Sequence, residues 1–357
     1  MAAGKLDGLR KKIDSIDDKI LDLLNERARV VLEVGKAKAG SSQQFYVPSR
    51  EQAIYRRLAE HNPGPFPTDA IRRVFREVIS ASLSLEQPMK VAFLGPLATY
   101  THVAAMQQFG LSAQLVPQKG IATVFDEVLR GRADYGVVPV ENSNEGVVSH
   151  TLDMFMESEL KIHAEILLEI SHDLLSRSGD LSRVRKVVSH PQALAQCRKW
   201  LQENLPDIPL VDVASTALAA QMVAEDDSAA AIASEMAANL YDLQVVKKKI
   251  EDNPNNFTRF LVIGMQTPAP SGRDKTSIMF SVRDEPGILY RMLEPFSKRQ
   301  LNLSKIESRP FKKKAWEYIF FLDLEGHAEE PSVHDALEEL KGYCTLFRVL
   351  GSYPKAR

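Results

Sequence analysis

Two groups of residues in this 357-residue chain are placed where chemistry, more than packing, would want them. The first is NNFTRF at 255–260, which sets a hydroxyl (Thr258) and a cation (Arg259) directly against an apolar run of strand character. A lone threonine in a strand is an ordinary β former. Here it is one of several polar clusters, with GPLATYTH at 95–102, ENSNEGVV at 141–148, SHPQALAQC at 189–197 and ASTALAA at 214–220. The second group interrupts a helical seam. Leu9, Ile13, Ile16, Ile20, Leu23, Val30 and Val34 recur at heptad spacing, and the gap in the series is filled by Arg27, with Lys38 further along the same face. A later seam of Phe75 and Ile79 continues with Ser82 and Glu86. One long cation on an amphipathic helix commonly snorkels to solvent. Several together, with Arg10 near the start and Arg50 and Glu51 opening the next helix, predict an anion pocket, and guanidinium forks suit a small dicarboxylate.

The elements that must hold these residues divide the chain into three regions, 1–88, 89–267 and 274–357. The first is all-helical. A helix from Leu6 to Ala39 would be roughly 50 Å long, too long for a small domain to cover, so the pattern predicts a partner chain against it. Helices from Ser49 to Glu60 and through Leu85 follow. The second region alternates short apolar strands (VAFLG, AQLVP, YGVVPV, KVVSH, LVDVA, AAIA, FTRFLVIG) with helices beginning near Thr99, Ile121, Pro191, Ser215 and Ser234. That is an α/β pattern, and its polar clusters fall at strand ends, where open α/β sheets bind ligands. After the linker TPAPSGRDK the order becomes βαββαβ, an α+β unit of ferredoxin-like type.

Composition removes several function classes. Lysine plus arginine numbers 45 against 47 aspartate plus glutamate, a net charge of -2 that gives no footing for nucleic acid. Cys197 and Cys344 stand far apart without metal-ligand spacing, so neither a disulfide framework nor a zinc site is expected. The N-terminus turns charged at once and no apolar window reaches the roughly 20 residues of a membrane span. The expectation is a cytoplasmic protein with no membrane or nucleic-acid partner.

The stretch LRKKIDSIDDKILDLLNERARVVLEVGKAK, followed by RE and a third helix, resembles the all-helical chorismate mutase family over about the first 87 residues. The polar clusters of the middle region resemble the prephenate dehydratase family in order and spacing, and DEPGILYRML with ESRP resembles the phenylalanine-binding motifs of ACT domains. The resemblance implies a bifunctional enzyme of phenylalanine biosynthesis, with a two-lobed fold like a periplasmic binding protein in its middle. Chorismate and prephenate would be its substrates, phenylalanine its effector and a homodimer or higher homo-oligomer its assembly. No metal, nucleotide or organic cofactor is implied.

By that resemblance Arg10, Arg27, Lys38 and Glu86 would act on chorismate, with Arg50, Glu51 and Ser82 binding it and Arg10 reaching the pocket of the other chain. Only as an acid would Glu86 donate to the breaking ether oxygen. Thr258 would donate to the departing ring hydroxyl of prephenate, while Thr99, Glu141, Asn142, Ser189, Gln196, Ser215 and Thr216 would surround the substrate. Two roles stand open for Arg259. It either anchors a carboxylate or, because neighbours in a strand alternate faces, turns to the opposite side into a structural ion pair. Gly287, Ile288 and Leu289, with Glu307, Ser308, Arg309 and Pro310, would bind phenylalanine. Val47 and Tyr290 depart from the family patterns. A rival reading keeps these folds but makes the chain a non-catalytic amino-acid sensor. A mutase fused to an oxidative dehydrogenase is disfavoured, since no GxGxxG is present.

Overall fold

The computed structural model describes residues 2–38, 46–86, 88–311 and 317–356. The chain forms two compact units, one built mainly from residues 1–47 and 51–89, the other mainly from 90–108 and 115–357. Among the described residues the first unit is helical, with α1 (Ala2–Lys38), α2 (Pro48–Glu60) and α3 (Thr68–Glu86). Proline opens α2 at a position where its missing N–H costs nothing. The expected heptad seam is present on α1, but in this chain its side chains face solvent. Leu9, Ile13, Ile16, Ile20, Leu23 and Val30 are each about half exposed.

The second unit holds three sheets. The first is organised around Phe257–Gly264, which returns from late in the sequence to pair antiparallel with both Tyr135–Asn142 and Lys161–Glu169. Lys90–Leu94 lies parallel to Tyr135–Asn142 on its other side. The second sheet contains Asp173–Ser176, Lys186–Ser189, Leu210–Asp212, Ala229–Ala233 and Gln244–Lys247. The chain therefore crosses between the sheets after Glu169 and again before Phe257, making two lobes from discontinuous sequence. Sequence periodicity missed the strands Lys161–Glu169 and Asp173–Ser176, because buried His163, Glu165, His172 and Asp173 break their apolar pattern. The third sheet is antiparallel, in the order Leu303–Pro310, Tyr318–Glu325, Asp274–Val282, Cys344–Pro354, as a βαββαβ unit requires.

The first lobe and the C-terminal sheet share one core, in which Phe125, Val138 and Phe155 pack in the same cluster as Met279, Phe321 and Tyr353. Gly351 allows this approach, since a Cβ there would overlap the carbonyl of Ile162. A buried ion cluster completes the contact. Arg259 donates to Glu165 at 2.8 Å, to Asp323 at 2.5 Å and to the Tyr353 hydroxyl at 2.8 Å. Lys275 donates to the same Glu165 oxygen at 2.8 Å, and Ser277 donates to Asp323 at 2.5 Å. Two cations thus face two carboxylates. Burial alone would raise the Asp323 carboxyl, but Arg259, Ser277 and Lys275 hold it below its ordinary value. Of the two roles open to Arg259, the structure selects the structural ion pair, which corrects its assignment to substrate binding.

Removing one member of such a cluster strands the others. Arg259→Met should lower the stability of the second unit by about 3–5 kcal/mol, the usual cost of breaking a buried pair from one side. Urea unfolding of the full chain measures this, and a loss below about 1 kcal/mol, the level of an exposed pair, would contradict the burial argument.

Candidate functional site

Between the two lobes of the second unit lies a cavity of about 390 Å³ whose walls include Thr99, Asn142, Gln196, Ser215, Thr216 and Thr258. Thr258 enters it because the Phe257–Gly264 strand is pleated: Thr258 and Phe260 line the cavity while Arg259 turns to the ion cluster. Thr258 is paired across the sheet with Asn142, whose amide sits against its hydroxyl. The orientation of that amide is set by backbone. Asn142 Oδ1 accepts from the N–H groups of Asn144 at 3.0 Å and Glu145 at 3.1 Å, so Nδ2 must face the other way, donating to Thr258 Oγ1 at 2.8 Å. A hydroxyl has one proton and two lone pairs. With a lone pair taken by Asn142, the Thr258 proton is left to donate into the cleft.

The helix Thr216–Val223 begins at the cavity wall, capped by Ser215, whose hydroxyl accepts from Leu218 N at 3.0 Å. Free N–H groups at that end favour an anion. Thr99 lines the cavity, but its hydroxyl donates to the carbonyls of Leu94 and Pro96 and so also shapes the loop. Besides Arg259, two expected residues do not reach the cavity. Glu141 lies on the strand face opposite Asn142 and accepts from Lys305 at 2.7 Å. Ser189 is fully buried, its hydroxyl donating to the carbonyl of Ile232 at 2.6 Å. Lys119, Tyr100, His172 and Asn256 were not anticipated, although the first three line the cavity and Asn256 is bonded to Asn142. Asn256 had a signal, since it stands two residues before Thr258 and shares its strand face; His172 had none.

In the helical unit Arg27 donates to Ser82, and Ser82 donates in turn to the carbonyl of Val78 at 2.6 Å. Burial lowers the Arg27 pKa. Glu86 lies beside Gly35, where a Cβ would come within 3.1 Å of its Cγ, and its buried Oε2 has no hydrogen-bond partner among the described residues. Burial pushes the Glu51 carboxyl up to about 8 against the opposing pull of Arg72. Arg10 is exposed and pairs only loosely with Asp7 at 3.7 Å. It stands 17 residues before Arg27 on α1, about 25 Å away along the helix, too far to share a pocket within one chain. Arg50 is exposed on the first turn of α2, and the Lys38 side chain lies outside the described residues.

In the C-terminal sheet a cavity of about 790 Å³ is lined by Ile288, Leu289 and Ser308, with Arg283, Asp284 and Tyr318. Gly287 caps the helix Ile288–Lys298 with φ +79°, a left-handed conformation that favours glycine. Of the expected second motif only Ser308 lines this cavity. Arg309 alternates to the other strand face and donates to Ser149 and, at 3.0 Å, to Asp153, while Glu307 and Pro310 lie outside the lining. Tyr290 is exposed and also outside it.

Comparison with known proteins covers almost the whole chain. Residues 9–87 match the family Chorismate mutase type II, residues 91–268 match Prephenate dehydratase and residues 276–342 match ACT domain. The bifunctional chorismate mutase/prephenate dehydratase of Aquifex aeolicus is 53% identical over 356 residues, covering 99% of this chain and 98% of the relative. The protein of that name from Pseudomonas aeruginosa is 45% identical over 358 residues, with 99% and 98% covered. A crystal structure of prephenate dehydratase from Arthrobacter aurescens in complex with L-Phe is similar with a TM-score of 0.70 and 38% identity, covering 75% of this chain and 90% of that one. With its motifs, its helical and two-lobed folds and relatives matched from end to end, the chain belongs to the bifunctional chorismate mutase/prephenate dehydratase family.

Proposed function

We propose that the chain rearranges chorismate to prephenate in region 1–88, converts prephenate to phenylpyruvate in region 89–267 and takes phenylalanine as an effector in region 274–357. The observation that carries the dehydratase reading is the Thr258 hydroxyl with its proton free to enter the cleft. Prephenate must lose its ring hydroxyl and its ring carboxylate together. The C–C bond to the carboxylate breaks, its electron pair completes the aromatic ring, carbon dioxide departs, and the C–O bond breaks with the oxygen leaving as hydroxide, which takes up one proton, ultimately from solvent, to become water. Hydroxide is a poor leaving group, so a donor held against that oxygen lowers the barrier. Thr258 supplies the donor. Lys119 and the N–H groups opening the Thr216–Val223 helix supply positive potential for the substrate's carboxylates.

In the helical unit chorismate forms no covalent bond to the protein, so the pocket acts by holding a compact conformer and meeting charge on the breaking ether oxygen. Arg27 clamps a carboxylate beside Ser82, and Glu86, whose Oε2 has no hydrogen-bond partner among the described residues, is set against the ether. Arg10 comes from a second copy of the chain, laid along the exposed seam of α1. That arrangement buries the apolar stripe and brings in the distant cation in one step. The cavity at Ile288, Leu289 and Ser308 holds the effector, which the complex of the Arthrobacter aurescens protein with L-Phe supports as phenylalanine. A non-catalytic sensor would have no use for the oriented Thr258 proton.

Thr258→Ala should lower formation of phenylpyruvate from prephenate about 10²–10³-fold, the usual effect of deleting one positioned donor, and leave formation of prephenate from chorismate unchanged. A coupled assay starting from chorismate reads both, and near-parent phenylpyruvate formation would refute the assignment. Ile16→Glu with Ile20→Glu should reduce the mass in solution to that of one chain and remove mutase activity while dehydratase activity persists. Full mutase activity in a monomeric variant would refute the shared pocket.

A further inference from the structure

The hydrogen bonds behind Thr258 extend further than the reaction as described requires, and they run with a single polarity. Asn142 Nδ2, turned by the backbone N–H groups of Asn144 and Glu145, donates to Asn256 Oδ1 at 2.9 Å as well as to Thr258. Because Asn256 Oδ1 is the acceptor, its Nδ2 faces Gln196 and donates to Oε1 at 2.9 Å. Gln196 Oε1 is therefore an acceptor too, and the group on its other side, His172 Nε2 at 2.8 Å, must carry a hydrogen. The Gln196 amide nitrogen is left to face the cleft mouth, 3.3 Å from Glu145 Oε1. His172 is itself held, with its backbone N–H donating to Glu251 at 2.9 Å and Nδ1 3.0 Å from the Tyr100 hydroxyl, whose proton also serves the carbonyl of Ser171 at 2.5 Å.

We propose that His172 is a positioning residue for the dehydratase reaction. Through Nε2–H it holds the oxygen of Gln196 toward Asn256, and so supports the far end of a series of amides whose near end, Asn142, the backbone orients against Thr258. The alternative tautomer, with hydrogen on Nδ1 alone, would set an imidazole lone pair against the Gln196 oxygen. Relief would require Gln196 to flip, then Asn256, and finally Asn142, whose oxygen the backbone holds. The conflict would fall between Asn142 and Asn256, at the same amide nitrogen that holds Thr258. Nε2 faces the Gln196 oxygen and Nδ1 faces the Tyr100 oxygen, so the nitrogen that carries the hydrogen decides which of the two contacts is a bond. Burial lowers the His172 pKa against the opposing effects of Gln196, Glu251 and Asp173. His172 touches none of the reacting atoms in this scheme. It acts through Gln196, and it rests on the reading of Thr258 as the donor.

The test uses the full chain, with prephenate as substrate, comparing the parent with Thr258→Ala, His172→Gln, His172→Asn and His172→Ala. A glutamine amide reaches the place of Nε2 and carries hydrogens, whereas an asparagine amide reaches only the place of Nδ1. His172→Gln should keep kcat within a few-fold of the parent. His172→Asn and His172→Ala should lower kcat by about 10- to 100-fold, the scale of a misplaced catalytic group, with mutase activity unchanged. Equal loss in all three His172 variants would reduce His172 to a packing role and overturn the proposal, as would full kcat in the asparagine variant. Parent activity in Thr258→Ala would instead refute the reading of Thr258. Imidazole nitrogen shifts of the unmodified protein give a second measurement that needs no variant: hydrogen on Nε2 is expected, and hydrogen on Nδ1 alone would overturn the proposal.

Discussion

Most of what the second unit does depends on the pleat of one strand at two adjacent residues. Thr258 and Arg259 are neighbours in Phe257–Gly264, so their side chains leave opposite faces of the sheet. One face looks into the cleft, where the Thr258 hydroxyl is oriented by Asn142. The other is held to the C-terminal sheet by a cluster of two cations and two carboxylates, with Tyr353 and Ser277 completing its hydrogen bonds. A one-residue slip of register would exchange these roles, placing a guanidinium in the cleft and a hydroxyl among unpaired carboxylates. The balance of charge behind the strand therefore stabilises the position of the hydroxyl in front of it.

The same alternation recurs on the partner strands. Asn142 faces the cleft while Glu141 pairs backward with Lys305. On Leu303–Pro310, Ser308 lines the C-terminal cavity while Lys305 reaches Glu141 and Arg309 reaches Asp153. A single strand thus lines the C-terminal cavity on one face and touches the back of the first sheet on the other. Any ligand that binds two positions of this strand with different affinity must shift the strand, and the cleft residues are one peptide away from its contacts.

The helical unit is built on the opposite logic. Its long α1 leaves an apolar stripe half exposed, and Arg10 stands about 25 Å from Arg27 along the helix. Glu86 keeps a buried oxygen without a hydrogen-bond partner among the described residues, an arrangement that costs stability unless a ligand supplies one.

The sequence by itself determined most element types, though not the strands Lys161–Glu169 and Asp173–Ser176, and it determined the βαββαβ order, the heptad seam and the family, because periodicity and motif spacing are local properties of the chain. It also placed Thr258, Asn142, Gln196, Thr99, Ser215 and Thr216 at a common site, and the cavity contains them all. Only the tertiary structure decided which polar residues face the cleft. Glu141, Ser189, Arg259 and Arg309 sit in the same motifs as cleft or effector residues, yet each is directed to a partner more than 40 residues distant in sequence: Lys305, Ile232, Asp323 and Asp153. His172 and Lys119 joined the cleft without any motif, carried there by chain crossings that periodicity does not record. A motif reports that a residue type is needed near a place. Which way its side chain points depends on strand pleat and on charges brought from elsewhere in the fold, and those are properties of the folded whole.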